Sequence, residues 1–401
     1  MVTEIDTAID PCGAEHAQQR NVFIAEGREW VLYSDGSNAY YVSRVITPLG
    51  EWSSPTSYWA GSTRGYASAF WYDGTYVNLL YAAGGNGATT YYRGTPASNG
   101  VITWENGTTV ASAVGGITNS YPGVSKDSDG YPFAYWSRYP TSTYYAVYVA
   151  RATNTGGTGW TGVTNLFPEG SNGHSVMGAS IPLSSGHMLA ICATNNSGSG
   201  TYDLTSKYWN TSTWGSVQTA HAGVGGYIWQ AIHLGDDSVM VVYPHVSEGK
   251  VYSCIWTADS WGTPVEIDDG NNICIAYGGE VGVAYAVYVK SDVFYLRKYS
   301  NGSWRSASVF TSDCSNVVTG SMTMNRDISI EGDRLLLVWT QGTGSPYSIM
   351  AESQEDISAP EPPGPPSFEG GFRTFSNIPN IKRVGGVNYS LIKKVNGVPR
   401  S

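Results

Sequence analysis

The chain has few charges for its size, no amphipathic stretch of helical period, and no apolar run near the roughly 18 residues that cross a membrane. Charged residues make up only 13% of its 401 positions. That absence argues against a helical architecture and against a membrane span. Its first residues, Met1-Val2-Thr3-Glu4-Ile5-Asp6, carry neither the basic region nor the apolar core of a secretory signal. The five cysteines, Cys12, Cys192, Cys254, Cys274 and Cys314, are odd in number and far apart. Neither a disulfide framework nor a thiolate metal centre is expected from such spacing. The six histidines include no pair at helical metal spacing and no His-Glu-x-x-His. No metal and no cofactor are therefore expected.

Glycine and aromatics are plentiful: 49 Gly, 29 Tyr and 14 Trp. Residues 272–310 show how they are used. Apolar runs at 273–277, 281–289 and 293–299, with a fourth opening at Trp304, are separated by Gly-Gly-Glu, Lys-Ser-Asp and Asn301-Gly302 turns. Four such runs make one antiparallel four-stranded sheet. The unit recurs. A Trp just after a turn marks its fourth strand at Trp52, Trp104, Trp160, Trp214, Trp261 and Trp304, at separations of 52, 56, 54, 47 and 43 residues. Propeller blades of this type run about 40–50 residues. Second strands give an independent ruler at 29–34, 76–82, 132–138, 187–193, 238–243, 281–289 and 334–340, each after a turn carrying Gly or Asp. The chain reads as an all-β, seven-bladed β-propeller of four-stranded antiparallel blades.

Its organisation follows. Residues 20–357 form the ring. The seventh unit, with strands at 322–330, 334–341 and 346–352, has no marker Trp after it, so residues 1–19, through the run 2–8, are expected to supply its outer strand and close the ring. Residues 358–368 are a proline-rich spacer and 369–401 a basic tail. In that tail 380–390 aligns without gaps on 391–401, giving two hairpin-like units of Ile-basic-basic-Val, a turn, then Val. Ile381, Lys382, Arg383, Val384 and Ile392, Lys393, Lys394, Val395 are their docking residues. Net charge is −10, but residues 370–401 carry six basic and no acidic side chains, leaving 16 basic and 32 acidic residues elsewhere. An acidic ring disfavours nucleic acid.

The tandem Ile-Lys-Arg-Val-Gly-Gly-Val and Ile-Lys-Lys-Val-Asn-Gly-Val resembles short C-terminal repeats of bacteriophage structural and tail-fibre proteins. The blades resemble degenerate sialidase-like propellers, whose repeat places Asp, Gly and Trp around a hairpin, as Ser34-Asp35-Gly36 and Ser128-Asp129-Gly130 do. No unit carries the full Ser-x-Asp-x-Gly-x-x-Trp spacing. A sialidase also needs three converging arginines, and Arg44, Arg93, Arg151 and Arg297 all fall on outward third strands. No catalytic residue is assigned on this reading. Acidic residues at 127, 129, 236, 237, 331 and 333 sit in turns, where local hydrogen bonds explain them.

Loops joining second to third strands, and fourth strands to the next blade, share one face. Tyr58, Trp59, Arg64, Arg138, Tyr139, His174, Asn195, His221, His245 and Glu248 fall there as candidate ligand contacts, since rings stack on sugar faces while polar groups bind hydroxyls. His187 and His233 read as strand packing residues. The resulting expectation is a non-enzymatic particle protein that binds a host-surface glycan and joins other virion subunits, within an oligomeric assembly, through its tail. Its place would be the virion exterior after synthesis in the host cytoplasm, or otherwise the extracellular space. A glycosidase or depolymerase on a propeller, and a cellular interaction scaffold, are the alternatives.

Overall fold

The computed structural model describes residues 2–8, 20–60, 68–82, 87–115, 118–139, 146–167, 175–194, 202–224, 228–245, 247–257, 259–312, 314–328 and 334–355, with four two-residue strands in the tail. Backbone alone is described at 59, 60, 139, 175–177 and in those tail strands. The chain divides into two compact units, Met1–Ser358 and Ala359–Ser401.

The first unit is a seven-bladed β-propeller of antiparallel sheets. Blades one to six span 22–60, 68–111, 118–167, 175–224, 230–269 and 271–311, each running in chain order from axis to rim. In blades two, five and six the fourth strand is broken in two, and both pieces pair with the third. The seventh sheet is ordered Thr3–Ala8, Tyr347–Glu355, Arg334–Gln341, Thr323–Met324. Thr3 lies opposite Ala351 and Ala8 opposite Tyr347, so the strand at the start of the chain fills the outer position of the last blade.

Alternation of buried residues along the strands creates seven inter-blade layers rather than one ball. The marker tryptophans cap those layers. Trp52, Trp104, Trp160, Trp214, Trp261 and Trp304 are half-buried against successive clusters of aliphatic and aromatic side chains. Two blades repeat one polar device: Trp261 Nε1 donates to Ser206 Oγ and Trp304 Nε1 to Ser253 Oγ, both at 2.9 Å, each reaching the third strand of the preceding blade. Turn residues do what their types allow. Glu26 and Gly27 both take positive φ, 53° and 69°, as a two-residue hairpin turn of right-handed twist requires.

Two elements are shorter than the sequence suggests. The second strand of blade six starts at Ala284, not 281, because residues 278–283 close a turn in which the Val283 N–H bonds the Glu280 carbonyl. The first strand of blade seven is only Thr323–Met324, because the Asn325 side chain replaces the ladder: its Nδ2 donates to Arg334 O, and its Oδ1 accepts from Leu336 N. In the tail, Arg383–Val384 pairs with Val387–Asn388 and Lys394–Val395 with Val398–Pro399, two hairpins repeated at eleven residues. Ile381, Lys382, Ile392 and Lys393 lie outside the described residues, as does the proline-rich spacer. Cys192, Cys254, Cys274 and Cys314 are buried free thiols, and Cys12 is outside the described residues. Among the described residues no helix is long and apolar enough to cross a membrane.

The seam between blades seven and one carries a buried charge cluster. Glu29 is fully buried and receives Arg44 Nε at 2.6 Å and Arg334 Nη1 at 3.1 Å; both arginines also bond Ser353 Oγ, and Arg334 reaches Glu355. Removing one partner of such a cluster strands buried charge, at a cost of about 3–5 kcal/mol. Glu29→Ala should therefore lower unfolding free energy by about that much in chemical denaturation, and deletion of residues 1–8 should lower the melting temperature sharply. Unchanged midpoints in both variants would show that the seam does not hold the ring.

Candidate functional site

Each blade sends its first-to-second hairpin to one face of the ring and its second-to-third connection to the other. The predicted ligand residues belong to the second face, and the structure disperses most of them. Tyr58 packs between blades one and two, edge-on to Phe70 at 5.8 Å and beside Trp104 at 5.9 Å. Its burial pushes the phenol pKa up. It therefore belongs to an inter-blade layer. Trp59 lies on the strand Thr56–Ala60 opposite Ala39, and Tyr139 ends Pro132–Tyr139 opposite Thr118. Arg138 sits over the Tyr148 ring at 5.2 Å, with its Nε buried and unbonded. Arg64, His174 and Asn195 lie outside the described residues.

His221, His245 and Glu248 come together. His221 lies on the fourth strand of blade four, Gln218–Val224, while His245 ends the second strand of blade five and Glu248 occupies the turn into the third. That hairpin sets Tyr243 opposite Tyr252 and His245 opposite Lys250. The His221 ring centroid lies 5.5 Å from His245, 5.3 Å from Tyr243 and 6.0 Å from Tyr252. The Tyr252 hydroxyl donates a short hydrogen bond to Glu248, whose other oxygen is 3.6 Å from His245 Nδ1. Ser247 Oγ lies 3.3 Å from that same nitrogen.

The electrostatics follow from these contacts. His221 Nδ1 is buried without a hydrogen-bond partner. Burial first, then the neighbouring His245, holds the His221 pKa below the ordinary imidazole value, so the ring is neutral. The hydrogen bond to Glu248 raises the Tyr252 pKa, and the same bond lowers that of Glu248. A neutral imidazole thus adjoins a phenol that keeps its proton. Tyr252 was not among the sequence candidates; its offset of four from Glu248 across a Ser-Glu-Gly turn was the available signal.

The face with the first-to-second hairpins holds a cavity of about 530 Å³ that the sequence reading missed. Trp71, Asp73, Tyr76, Lys126, His233 and Arg326 are among its walls. Asp73 and Asp127 are turn acids: the Oδ1 of each accepts backbone N–H groups. Their Oδ2 atoms hold cations, Lys126 Nζ at 2.8 Å and Arg151 Nη2 at 2.7 Å. Burial pushes the Asp73 carboxyl up, yet Lys126 and the Tyr76 N–H more than reverse this and leave it below the usual range.

No family model matches the chain, and no curated protein matches it. Solved structures do. A polysaccharide lyase described as an ulvan lyase superposes with a TM-score of 0.59 at 11% identity, over 88% of this chain and 95% of its own. A second polysaccharide lyase gives 0.53 at 11%, over 87% and 91%. A Streptococcus pneumoniae sialidase gives 0.47 at 13%, over 88% and 70%. The fold is that of the polysaccharide lyase propellers. The expectation of a non-enzymatic virion protein is corrected accordingly: its structural neighbours are carbohydrate-active enzymes, and nothing in these comparisons supports a phage origin.

The arginines argue against sialidase chemistry. Arg44 pairs with Glu29, Arg93 with Glu105, Arg151 with Asp127 and Arg297 with Asp268, each at 2.6–3.1 Å. Four local ion pairs leave no three of them converging on one ligand carboxylate. Because Arg93 and Glu105 are the exposed pair of the four, Glu105→Gln should change stability by less than about 1 kcal/mol. A larger loss in chemical denaturation would give this rim pair a structural weight that its exposure does not predict.

Proposed function

We propose that this protein is a carbohydrate-active enzyme that cleaves an acidic polysaccharide by proton abstraction and elimination at the His221–His245–Glu248–Tyr252 cluster between blades four and five. The observation that carries the reading is His221, a neutral imidazole with a buried, unbonded Nδ1 beside the Tyr252–Glu248 pair. Abstracting a proton from the carbon next to a uronate carboxylate needs a base that is unprotonated at neutral pH. His221 is that base. The C–H electron pair becomes a carbon–carbon double bond, the glycosidic C–O bond at the β carbon breaks, and the leaving oxygen takes the Tyr252 proton. Glu248 positions the phenol, and His245 keeps positive charge off His221. The fold agrees in kind, since its solved counterparts are polysaccharide lyases, one of them bound to -[GlcA(1-4)Rha3S]-.

The test is turnover of uronate-containing polysaccharides, read as the ultraviolet absorbance of the new double bond conjugated to the carboxylate. His221→Ala and Tyr252→Phe should each lower kcat/KM by roughly 10²–10⁴-fold. The acid limb of the wild-type pH profile should lie below about pH 6.5, the ordinary imidazole value. His245→Asn removes a neighbour that lowers the His221 pKa and should move that limb upward, whereas Glu248→Gln removes one that raises it and should move it downward. Cleavage that survives His221→Ala, or products without the double bond, would remove the elimination mechanism.

A further inference from the structure

We infer that the cavity on the opposite face is a second ligand site, built for an uncharged saccharide. It is independent of the elimination reading, because none of its walls is His221, His245, Glu248 or Tyr252.

The cavity is blind. Arg20, just before blade one, crosses the axis and donates to Ile275 O and Ala231 O, both at 2.9 Å, on the innermost strands of blades six and five. The void beside it, lined by Arg20, Tyr135 and Ala231, has a volume of only about 10 Å³, at the lower limit for one water molecule. Trp71 borders both spaces and so separates the cavity from the plugged axis. A blind space of about 530 Å³ is within the 300–1,000 Å³ usual for small-ligand sites.

Its charges are already matched. Lys126 is held by Asp73, and Asp127 holds Arg151. Arg326 Cζ lies over the Trp71 ring, 3.9 Å from its centroid, and Nη2 donates to Tyr72 O at 3.2 Å. An anionic ligand would have to break one of these contacts to gain its own. What the cavity leaves unsatisfied is neutral: His233 Nε2 is buried without a partner, and desolvation keeps that ring uncharged. A hydroxyl supplies the missing hydrogen bond at no electrostatic cost. Trp71 and Tyr76, both half-buried, give apolar wall beside it. Hydroxyls against a neutral nitrogen, with ring surface alongside, describe a sugar without charge.

Isothermal titration of the full chain with cellobiose, maltose, lactose and trehalose, and with a glucuronate-containing disaccharide as the charged comparison, tests this. At least one neutral disaccharide should saturate a single site with a Kd on the order of 1 mM. Thr75 is exposed at the mouth, in a turn held by its own backbone N–H, so Thr75→Trp fills the entrance without touching the core. That variant should lose saturable binding, and His233→Phe should weaken it about tenfold, one hydrogen bond to a neutral group. His221→Ala should bind as the wild type does, whatever becomes of cleavage. Binding that Thr75→Trp leaves intact, tighter binding of the charged disaccharide at the same site, or no saturation by any neutral disaccharide would each overturn the assignment.

Discussion

The ring depends on one seam. Every blade but the last completes its sheet from consecutive sequence, and only the seventh borrows its outer strand from the other end of the chain. Six inter-blade layers can form between sequence neighbours. The seventh joins residues more than 300 positions apart, as the separation of Glu29 and Arg334 shows. The seam is held in two ways. Backbone pairing of Thr3–Ala8 with Tyr347–Glu355 removes the open edge, and Glu29 between Arg44 and Arg334 fixes how blade seven meets blade one. The charge cluster suits this position because it tolerates little misplacement: an apolar layer can slide, but a buried carboxylate between two guanidiniums is satisfied in very few arrangements.

Closure also positions the cavity. The wall of the cavity comes from blades two, three, four, five and seven, so Trp71 meets Arg326 only when the ring is shut. The Arg20 plug likewise depends on the innermost strands of blades five and six standing across the axis from the segment that enters blade one. The His221–His245–Glu248–Tyr252 cluster between blades four and five is a contact of sequence neighbours. It depends less on the seam, and its histidines could be placed on one face from the repeat alone.

That difference explains what the sequence made legible. The tryptophan period and the Gly- and Asp-bearing turns revealed seven blades because each blade solves the same packing problem with the same residue types. The repeat put His221, His245 and Glu248 on one face and the structure brings them together, although His221 lies inside the strand Gln218–Val224 and not on the loop expected for it. Tyr58 was placed on a ligand surface because an exposed platform and an inter-blade wedge have the same composition; only the positions of Phe70 and Trp104 separate the two. Asp127 was read as a turn acid, which is half of what it does, and Asp73 is built in the same way. One oxygen of each satisfies its turn, and the other meets a cation whose distance in sequence, 53 residues for Lys126 and 24 for Arg151, carries no local signal.

Residue type alone does not make chemistry in this protein; the partner does. His187, just before the strand Met188–Thr194, and His221, within the strand Gln218–Val224, both lie beside a tyrosine. His187 Nδ1 is 2.7 Å from the Tyr208 hydroxyl, so its hydrogen bond is made and the ring is fixed as packing. Near His221 the comparable phenol, that of Tyr252, is taken instead by Glu248, which leaves the imidazole nitrogen unbonded and the phenol proton held against a carboxylate. The acids divide in the same way. Asp73 and Asp127 face ammonium or guanidinium groups and balance charge, Asp268 faces such groups and the Tyr288 hydroxyl, and Glu248 faces a phenol and a histidine. Other acids also accept from hydroxyls, Asp6 from Tyr33 and Asp268 from Tyr288; what sets Glu248 apart is that its phenol partner stands beside two histidines, His221 and His245.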